Sequence, residues 1–339
     1  MNVQGKAANV PTGADRPRLK IAIGTYGHTK AIKDASVPIE GVDADFVEVT
    51  PIIQAFRRMV RDVEFDACEV ACTTYIVSRA YGRPFKALPL FLMRNFHHAG
   101  IVYRDDAGIK VPKDLEGKKC GVRAFTVTTG AWTRGILAQE YGLDVSKVTW
   151  VVDDEEHVTE LKLPANVVHT PAGKSLVSMM AAGEIQAGFT ANAGIGREGA
   201  PKEGWAAGAQ AQPQVYKDLL PNAKQLEEDW FKRTGIYPMH GVLTIKDEII
   251  KKHPAVVKAI YKAFVDAKNE YVAKLKAGLR DSAHDKRYGG YLKMMDDPLP
   301  MGIKDNLPTI NMLIDIATNQ GLIPRRMTVD ELFIDPDTL

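Results

Sequence analysis

Four times in this chain an apolar run ends in a cluster of hydroxyl, imidazole or guanidinium side chains, at the point where a helix is expected to start. Leu19-Lys20-Ile21-Ala22-Ile23 gives way to Gly24-Thr25-Tyr26-Gly27-His28-Thr29-Lys30, and Phe65-Asp66-Ala67-Cys68-Glu69-Val70 to Thr73-Thr74-Tyr75. Lys119-Cys120-Gly121-Val122 leads into Arg123, Thr126, Thr128 and Thr129, and Ala187-Gly188-Phe189 into Thr190-Ala191-Asn192. Strands that alternate with helices build an open α/β sheet. The carboxyl ends of its strands border one crevice, where ligands bind. Helix N-termini at that edge add N–H groups and a positive dipole end, which suit anions. The expectation is an enclosed pocket for a small acidic molecule.

The 339 residues exceed one ordinary core and suit two α/β lobes. With 44 basic and 42 acidic residues the formal net charge is only +2, and no long basic run occurs, so a nucleic-acid partner is not expected. The run Asp153-Asp154-Glu155-Glu156 reads as solvated loop charge. Residues 1–18 lack the apolar core of a secretory signal and read as a disordered leader. No segment approaches the length of a membrane span, so no membrane partner is expected. Cys68, Cys72 and Cys120 form no CxxC pair and read as free thiols in the core, which points to a reducing cytoplasm.

Periodicity predicts strands at 19–24, 46–49, 65–70, 88–92 and 99–104, with a helix from about Pro51 and another near 74–81. A second set follows: a strand ending at Val122, a helix from about Thr129 to Tyr141, a strand at 148–152, a helix near 174–182 and a strand at 186–189. The stretch 191–215, rich in Gly, Ala, Gln and Pro, reads as a mobile loop. A strand at 237–245 and long helices around 254–278 and 306–320 complete the chain. Two such sets predict lobe 1 from residues 19–98 plus 245–339 and lobe 2 from 105–235. The crossovers fall near 97–104 and 236–245, with the ligand cleft between the lobes.

Asp114-Leu115-Glu116-Gly117-Lys118-Lys119-Cys120-Gly121-Val122-Arg123 resembles the opening of the second lobe in type II periplasmic-binding-protein folds. Ser178-Met179-Met180-Ala181-Ala182-Gly183-Glu184-Ile185-Gln186-Ala187-Gly188-Phe189 and His253-Pro254-Ala255-Val256-Val257-Lys258-Ala259-Ile260 echo the same α/β fold. Binding proteins and enzymes share such a scaffold, so it does not set the function. Other phrases are more particular: Gly24 to Asp34, Phe56-Arg57-Arg58-Met59-Val60-Arg61-Asp62, Arg94-Asn95-Phe96-His97-His98, Gly121 to Gly130, and Tyr237-Pro238-Met239-His240. Together they resemble the 4,5-dihydroxyphthalate decarboxylase family over roughly residues 19 to 325. The resemblance implies conversion of 4,5-dihydroxyphthalate, a small aromatic dicarboxylate, to protocatechuate and carbon dioxide.

Chemistry then assigns roles. A dianionic substrate needs cationic or N–H partners, and arginine suits bidentate carboxylate binding. Arg123 is the first candidate, supported by Thr126, Thr128 and Thr129, which have plain N-capping as their alternative. Thr74, Tyr26, Arg94 and Lys30 are further candidates for substrate contact, and Lys30 has a solvated lysine as its alternative. Ring protonation needs an acid, and the phenols need a base or hydrogen-bond partner. Histidine suits both. His28 leads the candidates, followed by His97 or His98 and then His240; in an extended tandem His97 and His98 cannot face one way. Glu69, at the end of a buried strand, is placed to hold a phenol or orient a histidine.

No organic cofactor is expected, since GxGxxG after the first strand and GxxxxGK[ST] are both missing. His28, His97, His98, His240 and Glu69 could in principle form a nitrogen–oxygen metal site, but no HxH, HxxxH or HExxH spacing favours it. Two other readings stay open: a solute-binding protein for an aromatic carboxylate, and another enzyme on this scaffold, such as a menaquinone-pathway enzyme. Nothing in the sequence fixes an oligomeric state.

Overall fold

The computed structural model describes residues 16–195 and 216–338. The expected leader, up to residue 15, and residues 196–215 of the expected mobile loop lie outside the described residues. The chain divides into two compact units. Unit 1 takes the chain up to Arg94, Gly241–Ile310 and the stretch from Met327 onward; unit 2 takes Asn95–His240 and Asn311–Arg326.

In unit 1 the strands are β1 (Arg18–Ala22), β2 (Asp43–Phe46), β3 (Ala67–Ala71), β4 (Phe85–Ala87) and β5 (Met93–Arg94). Unit 2 carries β6 (Ile101–Tyr103), β7 (Lys119–Val122), β8 (Thr149–Val152), β9 (Val167–His169), β10 (Ala187–Phe189) and β11 (Lys217–Asp218); β12 (Met239–Lys246) then leads back to the first sheet. The first sheet runs β2-β1-β3-β12-β4, with β5 also on β12, and the second runs β11-β6-β10-β7-β8-β9. Both repeat one plan. A first strand lies between two parallel neighbours, β2 and β3 around β1, β8 and β10 around β7. Beside the third strand comes an antiparallel one, β12 on β3 and β6 on β10.

These sheets form because their strands are apolar on both faces, as expected where helices cover a parallel sheet. Leu19, Ile21, Ile23, Leu243 and Ile245 pack with Val256, Val257, Ile260 and Phe264 of the helix Pro254–Lys276 in the core of unit 1. In unit 2 Val151 packs with Leu176, Met179, Met180 and Ile185.

Several expected elements shift. The second strand is Asp43–Phe46 rather than 46–49, and the helix after it is Ile53–Asp62, starting past Pro51. The buried run Leu88–Leu92 is not a strand; the ladder on β12 lies at Phe85–Ala87. Pro89 has no N–H to offer it, and the run continues with Leu88 donating to Leu243 O at 3.0 Å and Leu90 O accepting from Leu243 N at 3.1 Å. Arg18, assigned to the leader, opens β1 and pairs with Asp43.

The chain also changes unit four times rather than twice, because 311–326 belongs to unit 2. Two contacts on the helix Thr128–Tyr141 explain this. Ile316 sits where a Cβ on Gly135 would come within 2.5 Å. Gln320 accepts from Arg134 Nε at 2.9 Å and donates to Ala131 O at 2.9 Å. Among the described residues no helix is long and apolar enough to cross a membrane.

Candidate functional site

In unit 1 the loop after β1 folds back on itself. Thr29 Oγ1 accepts from Tyr26 N at 2.8 Å and donates to Gly24 O at 2.7 Å. Because β1 and β3 are parallel neighbours, this loop emerges beside Glu69. Gly24 N donates to Glu69 Oε2 at 2.9 Å, and the Tyr26 phenol donates to Glu69 Oε1 at 2.9 Å. The approach requires glycine on both sides. A Cβ at Gly24 would lie 2.4 Å from the Tyr26 ring, and one at Gly241 would lie 2.6 Å from Glu69 Oε1.

Glu69 is 1% exposed, and burial lifts its carboxyl to about 7 against the opposing hydrogen bonds from Gly24 and Tyr26. Burial first, then the Glu69 charge, raises the Tyr26 phenol well above its ordinary value.

His28 stacks on Tyr26, with centroids 5.6 Å apart and planes at 16°, and leans on Tyr271 at 5.8 Å. Among the described residues neither ring nitrogen meets a partner in full hydrogen-bond geometry, although the Leu92 backbone lies near enough to act on the ring. Burial pushes the imidazole down to about 3, with the Leu92 backbone pulling the other way, so the ring is neutral at neutral pH. His284, which the sequence did not single out, meets Tyr26 edge-on at 5.3 Å. Thr74 is buried in the helix Cys72–Ala80, and Lys30 is exposed at the start of the short helix Lys30–Lys33.

Arg94, expected as a substrate ligand, is wholly buried. Its guanidinium donates to Pro300 O at 2.9 Å and to Asn306, and lies 4.9 Å over the Phe91 ring. It ties the end of the first sheet to the loop around residue 300.

In unit 2 the loop after β7 is held by a carboxylate the sequence misassigned. Glu156, read as solvated charge, is buried and accepts from Phe125 N at 2.5 Å, Thr126 N at 3.2 Å and the Thr126 hydroxyl. Its place, just beyond the carboxyl end of β8, is the signal that should have found it. Thr126 thus spends its hydroxyl proton on this carboxylate. Burial raises the Glu156 carboxyl, and the Thr126 and backbone donors, with the Arg134 charge, oppose that. Arg134 is fully buried over the Phe125 ring at 4.0 Å, donates to Phe125 O at 2.6 Å, and is pushed down to about 9 by burial.

Arg123 stands half-buried after β7, its backbone fixed by Arg123 N on Ala193 O at 2.7 Å and by Asp154 N on its own carbonyl at 2.9 Å. Thr128 and Thr129 open the helix Thr128–Tyr141, whose N-cap Val127 offers no side-chain acceptor.

The tandem histidines diverge. His97 meets His240 at 5.6 Å, whereas His98 lies edge-on to Trp230 at 5.3 Å. Burial lowers His98 to about 4, and Glu227, lifted to about 7 by burial, accepts from the His98 backbone. Each unit thus gathers part of the expected set: Tyr26, His28 and Glu69 in unit 1, and His97 with His240 in unit 2. Among the described residues no group of three or more His, Cys, Asp or Glu is placed to hold a metal ion. The three cysteines are free and buried, and burial raises all three thiols, Cys120 to about 12.

The NMT1/THI5 like family model matches residues 29–187. The chain is 30% identical over 329 residues to 4,5-dihydroxyphthalate decarboxylase of Comamonas testosteroni, covering 93% of this chain and 96% of that protein. It is 36% identical over 188 residues to 4,5-dihydroxyphthalate decarboxylase of Pseudomonas putida, covering 53% of this chain and 72% of that one. Among solved structures, the alkanesulfonate-binding protein SsuA from Xanthomonas axonopodis pv. citri bound to MOPS aligns with a TM-score of 0.50 at 13% identity, over 95% of this chain and 99% of that chain. At that identity the likeness bears on fold alone: the chain has a two-lobe α/β periplasmic-binding-protein-like fold.

Proposed function

The chain belongs to the 4,5-dihydroxyphthalate decarboxylase family, and we propose that it is a carboxy-lyase converting 4,5-dihydroxyphthalate to protocatechuate and carbon dioxide. The observation that carries this reading is the similarity to the Comamonas protein along nearly the whole of both chains. A cytoplasmic location belongs to the same reading, supported by three free, buried thiols.

Loss of carboxylate from an aromatic ring as a bare aryl carbanion is prohibitively uphill. The accessible route deprotonates the phenol para to the departing carboxylate and protonates the ring carbon that bears that carboxylate. The resulting dienone is a vinylogous β-keto acid. The C–C bond then breaks, its electron pair returns to the ring, and the restored phenolate takes up a proton.

Arg123 holds a substrate carboxylate in this scheme, with the first turn of the helix Thr128–Tyr141 offering its dipole end. In unit 1, burial keeps His28 neutral, so it does not serve as an imidazolium acid. The His97 and His240 rings, 5.6 Å apart, are the groups this scheme sets against the phenols.

The direct test is incubation with 4,5-dihydroxyphthalate, following carbon dioxide and protocatechuate together. Tight binding without turnover would instead make the protein a solute-binding protein. Arg123→Ala should weaken substrate binding by about 2–5 kcal/mol while the protein stays folded. An unchanged KM removes Arg123 from the site.

A further inference from the structure

We propose that Tyr26 and Glu69 form a two-step proton relay, in which the Tyr26 phenol protonates the ring carbon bearing the departing carboxylate and the Glu69 carboxyl reprotonates Tyr26. The relay rests on the decarboxylase reading and supplies what that reading lacks, the source of the ring proton.

The geometry is built for this contact. Both Glu69 oxygens face the Tyr26 hydroxyl, at 2.9 and 3.1 Å. One loop holds it twice: the hydroxyl of Thr29 closes the turn that carries Tyr26, and Gly24 N fixes Glu69. Gly24 and Gly241 leave the space that a Cβ would fill.

Tyr26 stands in the loop beyond the carboxyl end of β1, the edge where ligands of open α/β sheets bind, and Glu69, the middle residue of the parallel neighbour β3, lies just past the last β1–β3 pair and faces that loop. Tyr26 is the outer member, at 8% exposed against 1% for Glu69.

Among the described residues no cation stands within ion-pair distance of Glu69. Its charged and titratable surroundings are Tyr26 and Lys33 from the β1 side, Cys68 and Cys72 along its own segment, and Tyr288 from the helix Ala283–Tyr291. Lys33 is itself engaged with Thr25, at 2.6 Å, and with Glu48. A buried carboxyl without a counter-ion keeps its proton toward neutral pH. The stacked His28 does not compete as the acid, because burial holds it neutral.

The step balances. With substrate bound, the Tyr26 hydroxyl turns its proton from Glu69 to the ring carbon and accepts from the protonated Glu69 carboxyl; as the phenolic proton forms the new C–H bond, the carboxyl proton of Glu69 moves onto the Tyr26 oxygen. Glu69 is left as carboxylate, carbon dioxide leaves with the C–C electron pair returned to the ring, and solvent reloads Glu69. One proton is consumed per turnover, as the overall reaction requires.

The experiment compares wild type, Tyr26→Phe and Glu69→Gln as full-length proteins, over a range of pH, with 4,5-dihydroxyphthalate. The expected result is a loss of roughly 10²–10⁴-fold in kcat for either variant, with KM changed little. The double variant should be no worse than the poorer single one, because the two residues act as a unit. Wild-type kcat should fall as pH rises past about 7, where Glu69 loses its proton, and this limb should vanish in Glu69→Gln.

If a variant does not fold, rates of the wild type in mixtures of light and heavy water decide the matter: two protons in flight give a curved dependence, and a straight line overturns the relay. Wild-type turnover with undiminished Tyr26→Phe activity, or with the alkaline limb intact in Glu69→Gln, overturns the relay and leaves decarboxylation standing. A wild type that releases no carbon dioxide overturns both.

Discussion

Glu69 in unit 1 and Glu156 in unit 2 occupy comparable places. Each is a buried carboxylate that holds the loop leaving the first strand of its sheet, β1 or β7. Their company differs. Glu156 takes two backbone N–H groups and a threonine hydroxyl, and the buried Arg134 guanidinium acts on it electrostatically. Glu69 takes one backbone N–H and a phenol, and among the described residues no guanidinium is paired with it. The lesson is that one architectural device serves two ends. A carboxylate saturated by fixed donors and a buried cation builds the fold, whereas one that shares a mobile proton with a phenol is suited to chemistry.

The largest effect should come from breaking the structural member. Glu156→Ala leaves two buried backbone N–H groups unmet and takes away the charge that acts on Arg134. Each stranded buried donor costs about 1–3 kcal/mol, to be read from urea unfolding. A loss under about 1 kcal/mol would place Glu156 in the same class as a surface charge and dissolve the contrast with Glu69.

Acid should reach unit 1 through His28. Its folded value, about 3, lies below the ordinary 6.5. Between those values the unfolded chain binds a proton that the folded one refuses, so stability falls as pH drops from about 6.5 toward 3. The slope is about 1.4 kcal/mol per pH unit for one such group. His98, lowered to about 4, adds a similar term over a narrower window in unit 2. Replacing His28 with Gln should flatten the acid limb of a Tm-against-pH profile, and an unaltered limb would mean that the folded protein accommodates the imidazolium.

This contrast was only half visible in the sequence. The alternation of apolar runs with polar handovers marked β1, β3, β7 and β10, because buried parallel strands must be apolar throughout. It also marked Glu69, which ends one of those runs. Glu156 was hidden by its neighbours: in Asp153-Asp154-Glu155-Glu156 composition says surface, and only the fold shows that the last of the four turns inward under the β7 loop.

The surroundings of His28 were equally hidden. Tyr271 packs on His28, and His284 on its stacking partner Tyr26, from helices more than 240 residues downstream, with no local spacing to announce them. Arg94 misled in the opposite direction. An arginine beside two histidines looked like a ligand for carboxylate, and packing against Phe91, Pro300 and Asn306 claimed it for the fold.

The smallest effect should be the stability change in Glu69→Gln, and it is the sharpest measure of the comparison. The folded value of Glu69, about 7, lies above the ordinary 4.5, so the folded protein keeps a proton that the unfolded chain gives up between those values. The contribution of that proton to stability is complete below about 4.5 and is lost as pH rises through 7. At pH 6 a glutamine amide replaces a neutral carboxyl of nearly the same shape and still accepts from Gly24 N, so stability should change by less than about 1 kcal/mol. At pH 8 the wild type has lost the contribution and the variant has nothing to lose, so the difference should move in favour of the variant. Paired unfolding curves at the two values check this. A variant that is several kcal/mol less stable at pH 6 would make Glu69 a structural carboxylate like Glu156; a gap that does not move with pH would mean that Glu69 is ionised throughout and carries no proton for Tyr26.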